Sequence, residues 1–184
     1  DAPKFQAKPP YFPIETLEAR LKKYRDLHVK EIEITGGGEP FLHPKLQTII
    51  DMVRQTWPEI YVKLYTNGFR LKPISGVNEL NISRCHDDTA KNNVLYRATK
   101  PIDLLETLTF FRPTVPKIRL QVTTLQGYID SPEAAVALIE RVPMVDTFVF
   151  RPLFDKCGLE KDKYVEFKVD HPKAKNDLTG DYCD

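Results

Sequence analysis

The chain has few cysteines and no long apolar run, and both absences narrow what it can be. Its 184 residues include three cysteines, Cys85, Cys157 and Cys183, whose wide spacing is typical neither of a disulfide framework nor of a loop that wraps a metal ion. No apolar stretch approaches the roughly 18 residues of a membrane-spanning helix, and the first residues lack the apolar segment of a signal peptide. We therefore expect free thiols, a cytoplasmic location and no membrane partner.

An excess of charge of one sign is also lacking. The 27 basic and 26 acidic side chains leave a formal net charge of +1, so no overall field attracts nucleic acid or anionic lipid. The apolar content of 41% is enough for a buried core, and the length favours one domain over two. The sequence thus predicts a globular domain without an evident nucleic-acid partner.

Helical and strand-like patterns alternate along the chain. Apolar residues recur three or four apart in four segments, and short β-rich runs lie between them. Ser131 and Pro132 are typical of a helix start, and Pro44 is placed to begin another helix. Helices are predicted at 14–27, 44–57, 102–111 and 131–142, and strands at 30–34, 60–65, 77–83, 117–123 and 147–150. This order favours parallel βαβ units wound into an open sheet or a partial barrel.

One connection is short for such a fold. Little more than residues 70–76 separates the strand ending at Tyr65 from the strand starting at Val77, whereas a parallel crossover usually takes about a dozen residues. Either the two strands connect in an unusual way, or the sequence omits residues around Leu71 to Ser75. The abrupt join favours the second interpretation.

The strand ends carry the candidate functional residues, because ligands of parallel α/β folds lie at the carboxyl ends of the strands. In the segment Thr35-Gly36-Gly37-Gly38-Glu39-Pro40, three glycines allow the backbone to approach a ligand, and Glu39 adds a negative charge suited to an ammonium group. A solvent-facing glycine turn is the alternative. A phosphate loop is disfavoured, because Glu39 repels phosphate and no lysine follows as in a P-loop.

This glycine segment, extended to residues 33–44 and followed by Leu64-Tyr65-Thr66-Asn67-Gly68, resembles the second and third strands of radical S-adenosylmethionine (SAM) enzymes. The resemblance continues through residues 80–84 to 150–153 and covers about residues 12–155. It implies an α/β fold, a partial (βα)6 barrel incomplete at the N-terminus. The expected domains are the radical SAM core at 1–155 and a C-terminal extension at 156–184, which we expect to add one strand or to dock on the core.

The resemblance implies that the chain binds SAM beside a [4Fe-4S] cluster, which cleaves SAM reductively to a 5′-deoxyadenosyl radical. The expected partners are SAM, an unidentified substrate and an electron donor such as flavodoxin or ferredoxin. The glycines are expected to contact the amino group of SAM. The strand end at Ser83 and Arg84 is expected to hold its ribose or carboxylate, with Arg84 the better partner for the carboxylate. Arg151 lies where the family commonly contacts adenine through backbone atoms. The implied SAM-binding residues are Gly36, Gly37, Gly38, Glu39, Asn67, Ser83, Arg84, Gln121, Thr123 and Arg151.

Other interpretations of single residues remain. Asn67 and Gly68 are also a common turn dipeptide, and Ser83, Thr123 and Arg151 can be ordinary strand-end or surface residues. His86 lies beside Cys85, Asp87 and Asp88, a sequence that suits a metal or acid–base site. Neighbours on an extended segment point to opposite sides, however, so they rarely share one ion.

The chain departs from the family in one respect. The family's Cys-x-x-x-Cys-x-x-Cys loop, which holds the cluster, is not found between Asp1 and Asp184, and we expect it to precede Asp1 together with the first strand. The three cysteines present are not expected to replace it. Two other classes stay open: an α/β module that binds an amino-bearing ligand without redox chemistry, and a structural partner subunit with a decayed site.

Overall fold

The computed structural model describes residues 13–36, 38–152 and 165–176, and it confirms the predicted α/β class. Six parallel strands form one sheet in the order β1-β2-β3-β4-β5-β6. The strands are β1 Glu31–Ile34, β2 Tyr61–Thr66, β3 Glu79–Arg84, β4 Lys117–Thr124, β5 Thr147–Pro152 and β6 Ala174–Asn176. The helices are α1 Ile14–Tyr24, α2 Leu46–Thr56, α3 Thr89–Tyr96, α4 Leu104–Phe111 and α5 Pro132–Arg141, with a 3₁₀ turn at Pro40–Leu42. A partial barrel fits this sheet, which has β1 and β6 at its edges.

The two faces of the sheet differ because side chains alternate along each strand. On one face Leu64, Leu80 and Leu120 are buried, and they belong to the same apolar cluster as residues of α2, α4 and α5. The opposite face is polar. It carries ion pairs between neighbouring strands, including Lys63 with Glu31 at 2.8 Å. The helices therefore cover the apolar face, and polar groups line the other.

The helix starts follow their capping residues. Ser131 Oγ accepts a hydrogen bond from the Ala134 N–H at 3.2 Å, and Pro132 begins α5, as predicted. The prediction for Pro44 was wrong: α2 begins at Leu46, because residues 40–42 after the glycine turn form a 3₁₀ turn first. Helix α3 was not predicted. It has only eight residues and a weak apolar stripe, although Asp88 caps it by accepting from the Lys91 N–H at 2.8 Å.

The connection between β2 and β3 is unusual, which was the first of the two interpretations of its short length and not the favoured one. Residues 67–78 contain no helix, and β2 still pairs with β3 in parallel. The connection packs against α2 instead: Gln47 Oε1 accepts from the Ser75 N–H at 2.9 Å, and Arg54 Nε donates to the Gly76 carbonyl at 2.8 Å. The crossover is complete with the residues present, so no missing stretch is needed to form it.

The described part of the C-terminal extension docks on the sheet. Phe167 lies 6.2 Å from Phe150 between ring centroids, and Val169 is buried. Thr124 Oγ1 donates to the Val165 carbonyl at 2.6 Å, and β6 pairs with β5. Cys157 and Cys183 lie outside the described residues. Among the helices that the structure describes, none is long and apolar enough to cross a membrane.

Candidate functional site

The glycine turn follows β1 at the carboxyl edge of the sheet. Gly36 and Gly38 are exposed, and a Cβ atom added to either would meet no other heavy atom within 4 Å. Neither has a positive φ, in contrast to Gly68. Neither crowding nor backbone conformation therefore requires glycine at these two positions. Their exposure fits both a solvent-facing turn and a backbone that is open to a ligand. Gly37 lies outside the described residues.

Glu39 ties this turn to the end of β2. Its Oε1 accepts hydrogen bonds from the Thr66 hydroxyl at 2.7 Å and from the Phe41 N–H at 3.1 Å, while Oε2 accepts from the Asn67 N–H at 2.7 Å. A carboxylate has about four lone-pair sites, so one remains for a ligand. Glu39 therefore offers a ligand one acceptor position and not the open negative charge that was predicted. Its hydrogen bonds within the protein hold the ends of β1 and β2 together.

Asn67 and Gly68 form the turn that follows β2. Asn67 Oδ1 accepts from the Phe69 N–H at 3.0 Å, which is the local bond expected of asparagine in a turn. Gly68 has φ +69, and a Cβ there would lie 3.0 Å from Thr107 Cγ2. Asn67 therefore acts as a turn residue, which was the alternative interpretation. It also lies beside Glu39, another of the predicted SAM-binding residues.

Arg84 is not presented to an open surface. The residue is 2% exposed, its guanidinium carbon lies 4.1 Å from the centroid of the Phe69 ring, and Nη2 is 3.4 Å from the carbonyls of Gly68 and Ile102. Burial lowers the pKa of Arg84 to about 10, so it stays charged at neutral pH. In this position Arg84 supports the turn after β2, and the pairing predicted with the carboxylate of SAM would require it to move.

The other predicted residues share the polar face at the ends of β3, β4 and β5. Ser83 is the register partner of Gln121, and Thr123 is the register partner of Arg151. With its amide oxygen turned toward Arg151, Gln121 accepts from Arg151 Nε at 3.1 Å. The structure therefore brings these four side chains together, and it separates them from Arg84, which points to the opposite face.

The Cys85–Asp88 segment does not form a metal site. Cys85 is buried, and burial raises the pKa of its thiol. Burial lowers the pKa of His86, whose Nδ1 accepts from the Asp88 N–H at 2.9 Å, so the ring is neutral at neutral pH. Asp87 is paired with Arg141 at 2.6 Å. Within the described ranges, no group of three or more His, Cys, Asp or Glu residues could hold a metal ion.

A cavity of about 740 Å³ adjoins the turns after β1 and β2. Its lining includes Glu39 and Asn67 from the predicted site, residues 69–72 from the β2–β3 connection, and residues 96, 98–100 and 102 from the segment between α3 and α4. We call it the Phe69 cavity. No sequence pattern points to this cavity, because its two walls come from segments about 30 residues apart and neither wall carries a recognisable motif.

Two solved structures share this arrangement of strands and helices. A structure of TYW1 with a lysine-pyruvate adduct bound matches with a TM-score of 0.59 and 17% identity, covering 86% of this chain and 60% of that one. A crystal structure of archaeal TYW1 matches with a TM-score of 0.55 and 19% identity, covering 79% and 58%. The fold is that of TYW1. At this identity the likeness shows the fold alone, and the chain spans about 60% of the length of the TYW1 chain.

No family model and no curated protein matches the chain. The likeness to TYW1 is thus one of structure, and it agrees with the sequence resemblance on the parallel α/β fold.

Proposed function

We propose that this chain is the SAM-binding core of a radical SAM enzyme, which with a [4Fe-4S] cluster cleaves SAM to a 5′-deoxyadenosyl radical that modifies an unidentified substrate. Both structures described above are of TYW1, a radical SAM enzyme. The observation that carries the proposal is the glycine turn, whose backbone is open to a ligand and is held at the carboxyl edge of the sheet by Glu39. An electron donor such as flavodoxin or ferredoxin would then be a partner.

The residues present fit the nucleotide part of this proposal. Backbone groups of Gly36 and Gly38, together with the remaining acceptor position of Glu39, suit the amino group of SAM. Gln121 and Thr123 supply donors and acceptors for the ribose on the polar face, with Ser83 beside them, and backbone atoms at Arg151 would contact adenine. When bound, SAM supplies the sulfonium that is cleaved, and the task of these side chains is to orient it.

The described residues do not fit the cluster. A [4Fe-4S] cluster is held by cysteine thiolates, and Cys85, the cysteine among the described residues, is buried with a raised thiol pKa. Burial of a neutral thiol is the reverse of what a ligating thiolate needs. The ligands would therefore have to come from residues other than those described.

Calorimetric titration of the full chain with SAM tests the proposal. We expect a Gly36→Ala, Gly38→Ala double variant to lose SAM affinity by about tenfold or more, because the added methyl groups occupy the surface that the ligand approaches. The same variant should keep its melting temperature, since neither methyl group meets another atom of the protein. An absence of binding heat with the unmodified chain, or equal affinity in the variant, would reject the site.

A further inference from the structure

The Phe69 cavity is rich in positive charge. Arg70, Lys72 and Lys100 line it, and all three are exposed. The one carboxylate in the lining belongs to Glu39, which already accepts three hydrogen bonds. The cations come from both walls of the cavity, so their fields add in the space between them. Such a site attracts an anion with more than one negative charge.

A fourth cation lies behind the wall. The Arg84 guanidinium packs on the Phe69 ring and reaches the carbonyl of Ile102, and both Phe69 and Ile102 line the cavity. Its Nη1 atom is buried and has no hydrogen-bond partner. A buried cation without full pairing costs stability unless a neighbouring anion offsets it. Glu39 and Asp103 lie close enough to offset part of the Arg84 charge, and an anion in the cavity would offset more of it.

The remaining lining is apolar and aromatic. Phe69 and Tyr96 meet edge to face, with ring centroids 5.5 Å apart, and Leu71 and Ile102 extend the same surface. The volume of about 740 Å³ lies within the usual range for a small organic ligand and is large for a bare inorganic ion. The cavity therefore joins a cationic part to an apolar part.

We propose that the Phe69 cavity binds an organic phosphate, with the phosphate held by Lys72, Lys100 and Arg70 and the organic part against Phe69 and Tyr96. Three cations around one cavity suit the doubly charged phosphate monoester better than a single carboxylate. Because Glu39 of the glycine turn and Asn67 of the turn after β2 both line the cavity, the bound phosphate compound lies beside the SAM site. The inference rests on the proposed function in one respect, that this compound is the substrate.

Calorimetric titration of the full chain with uridine 5′-monophosphate tests the inference, since that probe has no adenine and does not imitate SAM. We expect it to bind more tightly than inorganic phosphate and much more tightly than uridine. Raising the salt concentration from about 0.05 to about 0.5 M should weaken the binding, because exposed charges are screened. A Lys72→Ala, Lys100→Ala variant should bind about tenfold more weakly.

A Lys30→Ala, Lys168→Ala variant is the matched control, because it loses the same charge at exposed positions outside the cavity lining. Equal weakening in both variants, equal affinity for uridine and its monophosphate, or no binding at all would overturn the inference. SAM titrated into the same variants separates the two proposals. Phosphate binding without SAM binding refutes the proposed function alone, and SAM binding without phosphate binding refutes the cavity inference alone.

Discussion

Replacing Asn81 by valine should stabilise the protein, although the residue is at the centre of the sheet. Asn81 is 0% exposed, and neither its Oδ1 nor its Nδ2 has a hydrogen-bond partner. A buried polar group left unpaired costs about 1–3 kcal/mol. Valine removes both polar atoms and suits the extended backbone of β3. We expect a gain of about 1–3 kcal/mol in the free energy of unfolding, or a rise of roughly 2–10 °C in melting temperature for a chain of this size.

Asn92→Val is the matched control for this prediction. Asn92 is also buried, at 1% exposed, but its Oδ1 accepts from the Cys85 N–H at 2.8 Å. The same substitution there also removes an unpaired atom, Nδ2, but it leaves the Cys85 N–H without an acceptor. We therefore expect its effect on stability to be less favourable than that of Asn81→Val by about 1–3 kcal/mol. Urea unfolding followed by circular dichroism measures both variants. A loss of stability in Asn81→Val, or an effect equal to that of Asn92→Val, would show that the Asn81 amide is paired in solution and refute the reasoning.

Three other perturbations test the fold and its charges. Burial raises the pKa of Glu79, but the hydrogen bond from Lys117 helps to outweigh burial and to hold the pKa below its ordinary value of 4.5. The stability that this carboxylate contributes should therefore be present above pH 4.5 and be lost as the pH falls through the folded-state pKa. Acid unfolding of Glu79→Gln beside the unmodified chain checks this, and an identical acid transition in the two proteins would contradict it. Gly68→Ala should lose about 1–3 kcal/mol in urea unfolding, because φ is +69 and the new Cβ would crowd Thr107, whereas Gly36→Ala should change little. Ser131→Ala should lose about 1 kcal/mol through the missing helix cap, and restoration by Ser131→Asp would separate capping from packing.

Most of the fold could be predicted from the sequence, because alternation and helical spacing are local signals. The strand over residues 117–124 alternates along its whole length, and the predicted strand differs from it by one residue. Helix α3 was missed because its apolar residues form only a weak stripe and its buried residue is Asn92. Helix α4 also has eight residues, but it buries Leu104, Leu108 and Phe111 at helical spacing. The packing of the β2–β3 connection on α2 could not be predicted, since it depends on hydrogen bonds to Gln47 and Arg54, which are more than 20 residues away in the sequence.

The candidate site was predictable where a motif carries it and not where packing decides. The glycine turn and its position at a strand end follow from the sequence order. The sequence order itself argues against Ser83 and Arg84 contacting the same ligand, because adjacent strand residues point to opposite faces of the sheet. The depth at which Arg84 lies, under Phe69, depends on contacts between the turn after β2 and the segment before α4, and no local pattern reports them.

The anchoring of the β2–β3 connection also bears on how such a domain can diversify. The segment is fixed at its start by the turn at Gly68 and near its end by Ser75 and Gly76 on α2, while Arg70 and Lys72 between them are exposed. Substitutions at Arg70 and Lys72 alter the chemistry of one wall of the Phe69 cavity without disturbing the sheet. A lineage could therefore exchange one recognised compound for another here while its folding stability stayed nearly constant.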